Sequence, residues 1–155
     1  MDGTRRSFLR LAASAGIVAT AVATGLTRSR EVWAQVWNKS GFEAKAVAEA
    51  LRSLGAANAT DSKDIVITAP DIAENGAVVP VEVTSRIPGT ESISIIAEKN
   101  PFPLVATMEL ASGSEPYTYV RIKMGETSNV RVVVKADGRF YTAAKEVKVT
   151  IGGCG

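Results

Sequence analysis

The sequence predicts an all-β chain folded as a two-layer antiparallel sandwich, and three observations carry that prediction. From Lys63 to Ile151 apolar and polar residues alternate with a period of two, the pattern of half-buried strands. The alternating runs are short, and clusters of Pro, Gly, Asp and Ser that favour turns separate them. Helical periodicity is confined to one stretch that precedes them.

The first segment is an address. Thr4-Arg5-Arg6-Ser7-Phe8-Leu9-Arg10 leads into a stretch from Leu11 to Leu26 with almost no charge, which is a twin-arginine export signal with Arg5 and Arg6 as its motif. The apolar stretch is shorter than the roughly 20 residues a bilayer crossing needs, which disfavours a permanent membrane anchor. Val32-Trp33-Ala34 supplies the small residue expected before a signal-peptidase cut, so residues 1–34 are assigned to the signal and the mature chain starts near Gln35.

Removing the signal changes the charge balance. The chain has 18 Lys+Arg against 16 Asp+Glu; the first 34 residues hold 5 and 2 of these, leaving 13 basic and 14 acidic residues in the rest. No basic patch interleaved with aromatics remains, so nucleic-acid binding has no support. Residues 35–151 suffice for one domain with a real core.

That domain begins with a predicted amphipathic helix. Ser40 and Glu43 read as a capping box, and Phe42, Ala46, Ala50, Leu51 and Leu54 recur at helical spacing before Gly55, a candidate C-cap. Docking of the apolar stripe onto the domain is the expected use. Strand runs follow at Ile65-Val66-Ile67, Val78 to Val83, Ile93 to Ala97, Leu104 to Leu110, Tyr117 to Met124, Val130 to Val134 and Phe140 to Ile151. That makes about seven strands, and an immunoglobulin-like antiparallel sandwich fits them best. Pro80 points to an edge or a bulge, because proline donates nothing to a ladder. Asp137-Gly138 suits a tight hairpin turn. Tyr117, Tyr119, Phe140, Tyr141 and Met124 read as core or inter-strand packing residues.

The last strand stops at Gly152-Gly153-Cys154-Gly155, a predicted flexible C-terminal arm over residues 152–155. Cys154 is the sole cysteine, so it closes no disulfide within the chain, and in an oxidising compartment an odd cysteine suggests intermolecular pairing or a reactive thiol. Histidine is absent, which removes Cys-His nucleophilic pairs, ordinary copper or catalytic zinc sites and imidazole general bases. The carboxylates are scattered, so no self-contained catalytic site, metal site or cofactor is expected. The α-carboxylate of Gly155 beside Cys154 disfavours the thiolate, which argues for activation by a partner. Lys145 and Lys148 lie in the preceding strand; solvated surface lysines are the expected reading, with reach back to the thiol as the other.

The twin-arginine signal, the N-terminal helix, the immunoglobulin-like sandwich and Gly152-Gly153-Cys154-Gly155 together resemble the SoxY family, sulfur-carrier subunits of the periplasmic thiosulfate-oxidising Sox system. The segment Ala97-Glu98-Lys99-Asn100-Pro101-Phe102-Pro103-Leu104-Val105-Ala106 also resembles that family's mid-domain stretch. The resemblance implies a non-catalytic carrier in the periplasm whose Cys154 holds sulfur intermediates covalently while Gly152, Gly153 and Gly155 form a swinging arm. It implies SoxZ as heterodimer partner. It further implies transient contacts with a haem cytochrome that conjugates thiosulfate to the thiol, a manganese-dependent hydrolase that releases sulfate, and a sulfur dehydrogenase. The family's motif usually reads Gly-Gly-Cys-Gly-Gly, one glycine more than here, a departure expected to bear on which partner enzymes accept the arm.

Other classes remain as alternatives. An exported structural sandwich would use Cys154 only for disulfide-linked dimerisation. A carrier activated at a terminal Gly-Gly would need trimming after Gly153. A redox enzyme is the weakest reading, without histidine or a Cys-x-x-Cys pair.

Overall fold

The structure, a computed structural model, describes residues 37–151. The order is α1 (Lys39–Glu43), α2 (Val47–Ser53), β1 (Thr60–Asp61), β2 (Ile65–Thr68), β3 (Ile72–Ala73), β4 (Val79–Ser85), β5 (Thr90–Ala97), β6 (Leu104–Glu109), β7 (Tyr117–Ile122), β8 (Ser128–Ala136) and β9 (Arg139–Val149). One sheet runs β1-β9-β8-β5-β6, with β3 also paired to β9, and the other runs β2-β4-β7. The seven longer strands coincide with the seven alternating runs and pair antiparallel, so the immunoglobulin-like sandwich is observed. The expectation of a purely antiparallel fold needs one correction: β1 and β3 pair parallel with β9, through Thr60↔Tyr141, Asp61↔Thr142, Ile72↔Lys148 and Ala73↔Val149. These two short strands cover parts of a long edge that would otherwise invite pairing with another chain.

The core lies where the inner faces meet. Val79, Val81 and Val83 of β4 face Ile93 and Ile95 of β5 and Val130, Val132 and Val134 of β8, all fully buried together with Met124 and Val147. Each such side chain contributes roughly 1.5–3 kcal/mol on burial. Ile96 and Val133 point the other way, into a second cluster with Ala44, Ala50, Ala56 and Leu104. That cluster is the helix docking site, and it explains why β5 is buried on both faces from Ser92 onward.

The single helix expected from Ser40 to Leu54 is two helices folded back on each other. Asn38 Nδ2 donates to the Ser53 carbonyl at 3.1 Å across 15 residues, a span that a continuous helix would stretch to about 22 Å. Ala44 and Ala46 are extended, with ψ of 135° and 144°, and the chain turns there. The turn lets Gly41 pack so closely that a Cβ on it would sit 2.6 Å from Ser53 Oγ and 3.0 Å from Leu104 Cδ2. The cap also differs. Asn38 Oδ1 accepts from Gly41 N at 3.0 Å and from Ser40 Oγ at 3.0 Å, while Glu43 pairs with Lys39. Phe42, Leu51 and Leu54 pack against the sheet as expected, but Ala46 is exposed.

Other expectations resolve one by one. Asp137 (φ 48°) and Gly138 (φ 70°) form the hairpin turn between β8 and β9, with Ala136 opposite Arg139. Pro80 lies in the central strand of its sheet, yet β2 ends at Thr68 opposite Glu82, so at Pro80 only β7 is alongside. Met124 is in the core, Tyr141 packs against it and Phe140 packs under the helices. Tyr117 and Tyr119 correct the packing expectation: both are exposed, alternating outward on β7, because nothing among the described residues covers that face of the smaller sheet. Among the described residues no helix is long and apolar enough to cross a membrane.

Candidate functional site

Arg5 and Arg6 of the export motif, and Gly152, Gly153, Cys154 and Gly155 of the predicted arm, lie outside the described residues. The described chain ends at Ile151, so the structure shows the ground from which the C-terminal segment departs.

That ground is built by three loops at one end of the sandwich. The ladder between β8 and β9 ends at Ser128↔Val147. Beyond it, new partners take over. Lys148 N donates to Asp71 O at 3.0 Å, Val149 N to Thr127 Oγ1 at 2.9 Å, and Thr150 N to Ala73 O at 3.1 Å. Thr150 Oγ1 donates to Glu74 O at 2.9 Å. Gly76 N donates to Ile151 O at 2.8 Å, and its own carbonyl accepts from Met124 N at 2.7 Å. Since Met124 is fully buried, the last described residue is tied to the core through one glycine.

Local sequence explains each loop. Asn75 Oδ1 accepts from Ala77 N at 2.8 Å, an Asx-type turn that holds Gly76 in place. The loop after β7 is held by Asn100, whose Nδ2 donates to Lys123 O at 2.7 Å and whose Oδ1 accepts from Gly125 N at 3.1 Å. Asn100 belongs to the turn between β5 and β6, where Ala97 N donates to Pro103 O at 2.8 Å. Part of the Ala97–Ala106 segment thus buttresses the loop that presents Thr127.

Ile72, Val78 and Ile151, three of the exposed large apolar residues, belong to β3, the loop after it and the residues just beyond β9. Lys148 is exposed, as expected. Lys145 is not a free surface lysine: its Nζ donates to Ala69 O at 2.6 Å and pairs with Asp71 Oδ1 at 3.1 Å, bracing the connection from β2 to β3. Among the described residues no group of three or more His, Cys, Asp or Glu is placed to hold a metal ion. Sequence reasoning missed Gly76, Asn100, Thr127 and Thr150. Asn75-Gly76 was a legible turn signal, but nothing local announced its partner on β9.

The described residues define a small immunoglobulin-like sandwich domain whose longest strand is followed by residues fastened to neighbouring loops, up to Ile151. Residues 51–154 match the family model "Sulfur oxidation protein SoxY", a span that includes Cys154. The solved sulfur carrier protein SoxY from Chlorobium limicola f thiosulfatophilum is similar at 39% identity over 73% of this chain and 99% of that chain, with a TM-score of 0.63. Superoxide reductase (neelaredoxin) from Ignicoccus hospitalis T24K, at 18% identity over 55% of this chain and 78% of that one, has a TM-score of 0.48. Fibronectin(III)-like modules of Clostridium thermocellum CbhA, at 17% identity over 55% and 93%, have 0.42; these two are too remote to bear on fold or function. No curated protein sequence matches the chain. The chain belongs to the SoxY family of sulfur oxidation proteins.

Proposed function

We propose that this chain is a covalent sulfur carrier of the periplasmic thiosulfate-oxidising system, holding thiosulfate-derived intermediates on Cys154 and presenting them to successive enzymes. The observation that carries this reading is the family match extending through position 154, the sole cysteine. The chemistry is simple for the carrier. Joining the Cys154 thiol to thiosulfate forms one S–S bond and releases one proton and two electrons, which the haem cytochrome takes up. Water then attacks the outer sulfur at the manganese-dependent hydrolase, the S–S bond to the sulfonate breaks, sulfate and two protons leave, and the persulfide stays on Cys154 as its anion. A sulfur dehydrogenase oxidises what remains.

Supporting features lie at both ends of the chain. Arg5 and Arg6 fit export of a folded protein by the twin-arginine route, which would let a heterodimer with signal-less SoxZ cross as a unit. Gly152, Gly153 and Gly155 leave a thin backbone around the thiol that can enter a channel side chains would block. The carrier contributes no catalytic group of its own.

The test is intact-mass analysis of protein from thiosulfate-fed cells before and after reduction. Reducible sulfur-bearing adducts on Cys154, with loss of thiosulfate oxidation in a Cys154→Ala strain, are expected. A permanently unmodified thiol with unchanged oxidation in that strain overturns the reading.

A further inference from the structure

We infer that Thr127, Thr150 and Gly76 are positioning residues that form a clasp on the end of β9 and so set the reach of the thiol. This rests on the reading of Cys154 as the sulfur-bearing residue. The β8 ladder has already ended at Val147, so residues 148–151 would belong to the tether if nothing else held them. The β3 ladder takes up Lys148 and Val149, and hydrogen bonds to the loops after β3 and β7 add to it, from Val149 N to Thr127 Oγ1, from Thr150 Oγ1 to Glu74 O and, last, from Gly76 N to Ile151 O at 2.8 Å. Thr150 and Ile151 are exposed, so fastening them adds little to the core.

The geometric consequence follows from the number of residues left free. From Ile151 to Cys154 there are three residue steps, a maximum of about 10–11 Å at roughly 3.3–3.6 Å each, whereas from Val149, where the β3 ladder ends, there are five, about 17–18 Å. The effective concentration of a tethered group falls approximately as the −3/2 power of tether length, so opening the clasp dilutes the thiol about two-fold at a site matched to the short arm. A short arm also rejects reaction centres that lie too deep. The clasp therefore selects partner enzymes by channel depth.

Two substitutions dissect it. Thr→Val at 127 and at 150 removes each hydroxyl and keeps its shape, while Thr→Ser keeps the hydroxyl. Amide hydrogen exchange at Val149, Thr150 and Gly76 reads the clasp directly, because these three N–H groups make its bonds. A spin label on Cys154, the sole cysteine, reads the volume the arm sweeps through the line broadening it causes. In T127V/T150V exchange at those amides is expected to speed up about five- to ten-fold per hydroxyl lost, with Val147 unchanged. The label's broadening then spreads to amides farther from Ile151, and the serine variants restore both readouts. Unchanged exchange and unchanged spread, or failure of serine to restore them, overturns the proposal. Should the double variant unfold, T150V alone decides, since its side chain is exposed. Neither readout involves sulfur chemistry, so a Cys154→Ala strain that still oxidises thiosulfate would remove the carrier reading and leave the clasp standing.

Discussion

Arg131 Nε donates to Glu98 Oε1 at 2.7 Å, joining β8 to the turn that follows β5, and the second carboxylate oxygen accepts from Asn129 Nδ2 at 3.0 Å. Both charged side chains are mostly buried, at 28% and 20% exposure. The arrangement gives Glu98, which opens the segment resembling the family's mid-domain stretch after Ala97, a structural task. Glu98→Ala leaves Arg131 and Asn129 short of their acceptor, and a loss of about 1–2 kcal/mol is expected, the usual range for a partly screened charged hydrogen bond. Urea denaturation checks it, and a midpoint equal to that of the parent protein would refute the assignment.

Asn100 acts on the neighbouring loop. Its amide bonds both Lys123 O and Gly125 N, so Asn100→Ala removes a donor and an acceptor at once. The expected cost is about 1–2 kcal/mol. Amide exchange should accelerate at Gly125 before it does in β5. Asn100→Asp keeps the acceptor for Gly125 N but sets a carboxylate against Lys123 O, and is expected to restore no more than part of the loss.

These two residues show where sequence reading stops. The seven longer strands were legible because alternation and turn chemistry are local signals, and Asp137-Gly138 behaved as its composition required. The parallel strands β1 and β3 are two residues long and leave no period to detect. The break between α1 and α2 was hidden because its cause is tertiary: Gly41 is drawn against Ser53 and Leu104, overriding helical spacing that ran on to Leu54. Tyr117 and Tyr119 matched a core pattern, but their face of the smaller sheet stayed open. At the candidate site Cys154 could be singled out as a residue. The ground beneath it could not, since bonds such as Thr150 Oγ1 to Glu74 O join residues 76 positions apart.

Gly41→Ala tests the helix hairpin. The added methyl would meet Ser53 Oγ at 2.6 Å and Asn38 Nδ2 at 2.9 Å, and both atoms are already committed, Nδ2 donating to Ser53 O between α1 and α2 and Ser53 Oγ donating to Ala50 O. A gain in helix propensity of about 1 kcal/mol opposes the clash, which costs roughly 1–3 kcal/mol when a close-packed site is overfilled. Net destabilisation with detachment of α1 is expected. It would be seen as faster exchange at Gly41 and Phe42 while the β8–β9 ladder keeps its protection. A variant more stable than the parent would show that Ser53 turns away at little cost.

The pH dependence of stability has a component at the opposite end of β9 from Ile151. The Lys135 ammonium, hydrogen-bonded to Glu91, holds that carboxyl below its usual value of 4.5, helped by the Gly138 N–H and opposed by a smaller desolvation. The same hydrogen bond and charge raise Lys135 above its usual 10.5. For Glu91 the folded value is depressed, so its contribution is present above the unfolded value and is lost as pH falls through the folded one. For Lys135 the folded value is raised, so its contribution is complete below the unfolded value and is lost as pH rises through the folded one. Between these limits the difference in urea midpoint between the parent protein and Glu91→Gln should be constant. It should shrink below about pH 4.5 and again above about pH 10.5, and added salt should reduce it throughout, because the pair is open to solvent. A difference that grows on acidification would show that Glu91 is stabilised by its neutral form and that the pairing with Lys135 is not what orders this corner.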